Sequence, residues 1–166
     1  MGTTSQKTVV ISGYYGFRNS GDEAVLQSIL TALEERGKAA GISIRPVVLS
    51  IDPEWTMATY GVDAVHRMKL GEVMQALKES SGLISGGGSL LQDATSSKTI
   101  PYYLGVIKLA QWLKKPVFIY SQGIGPVNRK LFHPFIKSVF NQCEYISVRD
   151  QESAHLLERM GLGWNR

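Results

Sequence analysis

With 166 residues, the sequence has room for one compact domain or for one half of a two-domain enzyme. Its 43% hydrophobic and 19% charged residues fit a soluble globular chain and argue against disorder. The net charge of +4 comes from scattered basic residues, with no basic arm, zinc finger or RNA-binding aromatic motif; its plain reading is a solvated surface, and an anionic substrate or anionic membrane face fits at least as well as nucleic acid.

Strand-like and helix-like patterns alternate along the chain. Residues 8–12 (TVVIS) form a short β-branched run ended by Gly13, the pattern of a buried strand. Residues 22–36 carry Val25, Leu26, Ile29, Leu30 and Leu33 at helical spacing, with Gly37 and Gly41 bracketing the exit. Residues 44–49 predict a second strand, closed by Asp52-Pro53, and 53–61 read as loop. A weaker third strand falls at 62–66 and a short helix at 72–78. Residues 82–85 predict a fourth strand before Gly86-Gly87-Gly88, then a helix over 101–113 with Thr99 as cap and Tyr103, Val106, Ile107 and Ala110 as apolar stripe. Residues 116–120 (PVFIY) predict a fifth strand. Phe132, Ile136, Val139 and Phe140 mark the next helix, which on this reading reaches Cys143. Residues 144–148 predict a sixth strand, and Asp150 caps a last helix ended by Gly161. Alternation of this kind implies right-handed crossovers and an α/β fold, a doubly wound, Rossmann-like parallel sheet.

The single cysteine, Cys143, excludes an internal disulfide and reads as a small buried hydrophobe. The first residues lack the apolar core of a signal peptide, and no run approaches the ~20 apolar residues of a membrane span, so a cytoplasmic protein is expected. His66, His133 and His155 share no metal-ligand spacing, and the last two read as helix-surface residues.

In an open α/β sheet, ligands bind outside the carboxyl ends of the strands. Here those ends gather Asn19, Gln92, Asp93, Gln122 and Arg149, a clustering that tight turns do not require. Two familiar readings fail. The dinucleotide fingerprint G-x-G-x-x-G is missing after the first strand, and in 86–91 and 123–128 its third glycine is replaced by Leu91 and Asn128. No Gly-Lys-Ser or Gly-Lys-Thr of a phosphate-binding P-loop occurs, and Asp52 without the fingerprint reads as a turn residue. What remains is a set of groups suited to sugars and anions. Residues 86–89 present backbone N–H groups to an anion or sugar oxygen, or simply make a tight turn. Tyr14, Tyr15 and Phe17 offer stacking faces, one of them belonging to the core. Asp22, Glu23 and Asp93 can accept hydroxyl protons, although Asp22 also suits the start of a helix. Arg149 ends a buried strand, a place for a charge that meets an anion or Asp150.

The segments GYYGFRNSGDEA, ISGGGSLLQDATS, YSQGIGP and ISVRDQES, in this order over residues 9 to about 160, resemble the polysaccharide pyruvyltransferase family, and most closely its bacterial cell-surface-polysaccharide members. The resemblance implies a GT-B-like two-lobed fold with the active site between lobes, of which residues 1–166 are the N-terminal lobe and a C-terminal lobe lies outside this sequence. It implies phosphoenolpyruvate as donor substrate and no separate cofactor. The acceptor would be a sugar of a cell-wall glycan precursor, N-acetylmannosamine, on a lipid carrier at the inner face of the membrane. The reaction would form a pyruvate ketal and release phosphate. On this resemblance Arg149 binds a donor anion and Asp93 orients or deprotonates an acceptor hydroxyl. Tyr14, Phe17, Asn19, Asp22 and Glu23 shape the sugar pocket, with Gly87, Gly88, Ser89, Gln92, Gln122 and Gly123 around the substrates. Two other readings stay open: one lobe of a sugar-nucleotide glycosyltransferase, and a carbohydrate-binding lobe without catalysis.

Overall fold

The computed structural model describes residues 5–86, 98–125 and 127–162. Its elements run β1 (Ser5–Tyr15), α1 (Ser20–Ala40), β2 (Ile42–Ser50), α2 (Pro53–Tyr60), β3 (Asp63–His66), α3 (Leu70–Glu79), β4 (Gly82–Gly86), α4 (Thr99–Trp112), β5 (Val117–Gln122), α5 (Phe132–Asn141), β6 (Tyr145–Val148) and α6 (Gln151–Arg159). The sheet has the order β3-β2-β1-β4-β5-β6, and every pair is parallel. This is the doubly wound, Rossmann-like arrangement expected from the alternation. Progress along the sheet reverses between β1 and β4, so connections leave these two strands in opposite directions and open a crevice at their carboxyl ends.

Adjacent residues of β1 supply the two cores, because successive strand side chains point to opposite faces. Val10 joins Val47, Leu83 and Ile119 beneath α3, α4, α5 and α6, which contribute Leu77, Ile107, Ile136 and Leu157. Ile11 joins Val48 beneath α1, which contributes Leu26, Ile29 and Leu30. Each such side chain, when fully buried, stabilises the fold by about 1.5–3 kcal/mol. No helix among the described residues is long and apolar enough to cross a membrane.

Four local expectations need correction. Residues 53–60 are helix, not loop: Asp52 accepts a hydrogen bond from Trp55 N–H, Pro53 suits the first turn, and Gly61 closes it at φ 66°. Helix α1 passes through Gly37, where a Cβ would lie 2.7 Å from the Ile42 carbonyl, and ends at Gly41 with φ 70°. The position before α4 is Lys98, with Thr99 already helical and no side-chain cap. Cys143 lies beyond the end of α5, in the turn before β6; burial, aided by the Glu144 charge, pushes its thiol up to about 12.

Candidate functional site at the carboxyl edge

The β1 end is built by three aromatics with separate tasks. Tyr15 is the core member: it is 1% exposed and donates to the Gly86 carbonyl at 2.8 Å, tying the end of β1 to the end of β4. Tyr14 and Phe17 remain exposed and stack on each other, with centroids 3.8 Å apart and planes 4° from parallel. Between them the chain turns at Gly16 (φ 87°), where a Cβ would run into Ser50 and the backbone of Asp52. Arg18 also adopts a left-handed conformation (φ 63°); it lies over the Trp55 ring and pairs with Asp52 at 3.5 Å.

The polar residues after this turn divide between scaffold and edge. Asn19 Oδ1 caps α1, accepting from Gly21 N–H at 3.1 Å and Asp22 N–H at 3.2 Å. Glu23 spends its carboxylate inside the fold, accepting from Gly16 N–H at 3.1 Å and Tyr60 Oη at 2.8 Å. Asp22 differs. Burial, and then the Glu23 charge, raise its carboxyl above the ordinary range, while Arg149 acts in the opposite sense. The acid near the β1 end and the arginine after β6 therefore feel each other's charge.

The β5 and β6 ends are held by serines. Ser85 Oγ donates to Gln122 Oε1 at 3.2 Å, and Ser121 N–H donates to Ser147 Oγ at 2.8 Å, with Ser121 at φ 46° where the β5–β6 register shifts. Gln122 is fully buried and its Nε2 has no partner among the described residues. Gly123 is buried, and Ile124 N–H donates to Ser153 Oγ at 2.8 Å. Arg149 N–H donates to the Gln122 carbonyl at 3.1 Å, and its Nε lies 3.5 Å from Asp150, which caps α6 through Ser153 N–H at 2.8 Å. The expected site residues Gly87, Gly88, Ser89, Gln92 and Asp93 lie outside the described residues.

One residue of this edge escaped the strand-by-strand reading. Arg67 follows β3, and its N–H donates to the Ser50 carbonyl at 2.9 Å. Its side chain turns inward. Nη1 donates to Tyr103 Oη at 3.2 Å and to the Gly13 carbonyl at 3.5 Å. The guanidinium carbon lies 5.2 Å from the Phe17 ring centroid, 4.3 Å from that of Tyr102 and 5.4 Å from that of Tyr103. Tyr102 Oη in turn donates to the Arg67 carbonyl at 2.8 Å. Burial pushes the Tyr103 phenol up to about 12, against the opposing pull of Arg67. The signal available beforehand was a charged residue at a strand's carboxyl end, the same signal that singled out Arg149. The weak β3 pattern concealed it.

Volume alone does not mark this site. A hollow of about 580 Å³ lies at the opposite edge of the sheet, between the end of α1 and the start of β2. No group of three or more His, Cys, Asp or Glu among the described residues could hold a metal ion.

Fold and edge thus define a Rossmann-like α/β fold with aromatic, acidic and cationic groups at the carboxyl ends of its strands. Similar solved structures are an oxidoreductase from Corynebacterium diphtheriae (16% identity, TM-score 0.50, covering 95% of this chain and 92% of that one) and homoserine dehydrogenase from S. aureus (12%, 0.49, 97% and 32%). At these identities the likeness is one of fold, and the chain spans 32% of the S. aureus enzyme. No curated protein sequence matches. The polysaccharide pyruvyl transferase family model matches residues 19–166, and the chain belongs to that family.

Proposed function

We infer that this chain forms one wall of a pyruvyltransferase site, which moves the pyruvyl group of phosphoenolpyruvate onto two hydroxyls of a sugar. The observation that carries this reading is the family match over residues 19–166, which spans the helix cap at Asn19 and the strand end at Arg149. The proposed acceptor is an N-acetylmannosamine residue of a lipid-linked cell-wall glycan precursor, met at the inner membrane face. A second lobe, outside this sequence, would close a GT-B-like cleft.

The chemistry asks for a proton donor, a proton acceptor and cations. Protonation of the methylene carbon of phosphoenolpyruvate makes the adjacent carbon electrophilic. One sugar hydroxyl adds there, the carbon–oxygen bond to phosphate breaks, and the second hydroxyl closes the ketal. The two hydroxyls lose two protons: one balances the proton taken up by the methylene carbon and the other leaves with phosphate. Arg149 would hold a donor anion and Asp93 would orient or deprotonate a hydroxyl. The Tyr14–Phe17 stack suits the apolar face of a sugar ring, with Asn19, Gly87, Gly88, Ser89, Gln92, Gln122 and Gly123 completing the surroundings. Asp22, whose carboxyl holds its proton to higher pH than usual, suits proton exchange at this edge. Glu23 would act from behind, by fixing the Gly16 turn.

The test is to supply the intact protein with phosphoenolpyruvate and a glycan ending in N-acetylmannosamine. Phosphate release matched by ketal formation is expected. Turnover of a nucleotide sugar with nucleotide release, and none of phosphoenolpyruvate, would replace this reading with a glycosyltransferase.

A further inference from the structure

Arg67 is the only buried charged residue among those described, at 9% exposure. None of the ion pairs among the described residues includes it. Of its three nitrogens only Nη1 donates to a described group. Nε and Nη2 donate to no group among the described residues.

A guanidinium taken out of water without a counter-ion is costly, and aromatic faces offset only part of that cost. The rings of Phe17, Tyr102 and Tyr103 crowd round the guanidinium, and the hydrogen bond to Tyr103 fixes its roll. Donors left over from such a cage form a fork, the geometry that takes two oxygens of a carboxylate or phosphate side by side. The cage also draws on three distant parts of the chain: the β1 turn through Phe17, the β3 end through Arg67, and the first turn of α4. That first turn carries the positive end of the helix dipole, which favours an anion in the same place.

We propose that Arg67 is an anion-binding residue of this edge, its free fork receiving the carboxylate or the phosphate of an anionic ligand beside Gly13 and the start of α4. Phosphoenolpyruvate carries both groups; its choice as ligand rests on the pyruvyltransferase reading, whereas the oxyanion site itself does not.

Binding to the intact protein is measured by calorimetry with phosphoenolpyruvate, inorganic phosphate and pyruvate as probes. Arg67→Met is expected to weaken phosphoenolpyruvate binding at least tenfold, with Arg67→Lys between it and wild type, since lysine keeps the charge and loses the fork. The smaller probe whose affinity falls with it, phosphate or pyruvate, identifies the group held. Should Arg67→Met fail to fold, the Arg67 Nε–H resonance of the wild-type protein, assigned through Arg67→Lys, is expected to shift on titration with the probes. An Arg67→Met protein with wild-type affinity for all three probes, an unmoved Nε–H resonance at saturation, or a wild-type protein that binds none of them overturns the proposal. Arg67-dependent phosphate binding in a protein that never turns over phosphoenolpyruvate would uphold the anion site and end the pyruvyltransferase reading.

Discussion

Two arginines stand at opposite ends of one sheet edge, and they are held in different ways. Arg149, after β6, is about half exposed and lies against Asp150. Arg67, after β3, is buried among aromatic rings and has no carboxylate among the described residues. An exposed pair of the first kind is worth little to stability, because water already solvates both charges. A buried cation of the second kind is a liability unless an anion joins it. The contrast teaches that charge at a strand end has two signatures, and that the buried, incomplete one points more sharply to a ligand.

The contrast can be broken by substitution. The largest effect is expected from Arg149→Ala, which should lower kcat/KM for phosphoenolpyruvate by about 30–150-fold, the equivalent of one charge-assisted contact of about 2–3 kcal/mol. Wild-type kinetics would remove Arg149 from the donor site. Asp150→Ala should lower the midpoint of denaturant unfolding through the lost cap on α6, with a much smaller change in turnover. An equal loss of activity would mean that Asp150 positions Arg149.

Asp22 reports on the same contrast through pH. Its folded carboxyl binds a proton more readily than the unfolded one, so its contribution to stability is full below the unfolded value of 3.8 and is lost as pH rises through the raised folded value. Asp22→Asn should therefore raise Tm slightly at pH 7 and give no gain below pH 3.8. Arg149 holds this carboxyl down, so Arg149→Ala should move the Asp22 titration, followed by NMR, further up. Arg67 is not among the charges acting on it, and Arg67→Met should leave that titration in place.

Much of the fold was legible because periodicity reports burial. The alternation at Val10 and Ile11 and the helical spacing of Leu26, Ile29 and Leu30 stand in the sequence as they stand in the two cores. Helix α2 was obscured by its eight residues, of which only Thr56 is buried, although Asp52-Pro53 and Gly61 are ordinary start and stop signals. At the edge, a core member among Tyr14, Tyr15 and Phe17 was foreseeable, but the Tyr14–Phe17 stack needed the turn at Gly16. The polarity of Gln122 and Glu23 showed in the sequence, but not that their side chains face inward, toward Ser85 and toward Gly16 and Tyr60. The cage of Arg67 joins residues 17, 67, 102 and 103, and no local pattern encodes a contact across such separations.

The most direct test is equilibrium unfolding of wild type and Arg67→Met, each with and without saturating phosphoenolpyruvate. If Arg67 is there for an anion, the ligand-free variant is as stable as wild type to within about 1 kcal/mol, since an apolar side chain replaces an uncompensated cation. At the same ligand concentration the wild type then gains at least about 1.4 kcal/mol more from the ligand than the variant does. A ligand-free variant weakened by several kcal/mol that still gains as much from phosphoenolpyruvate as wild type would make Arg67 a structural residue and contradict the account.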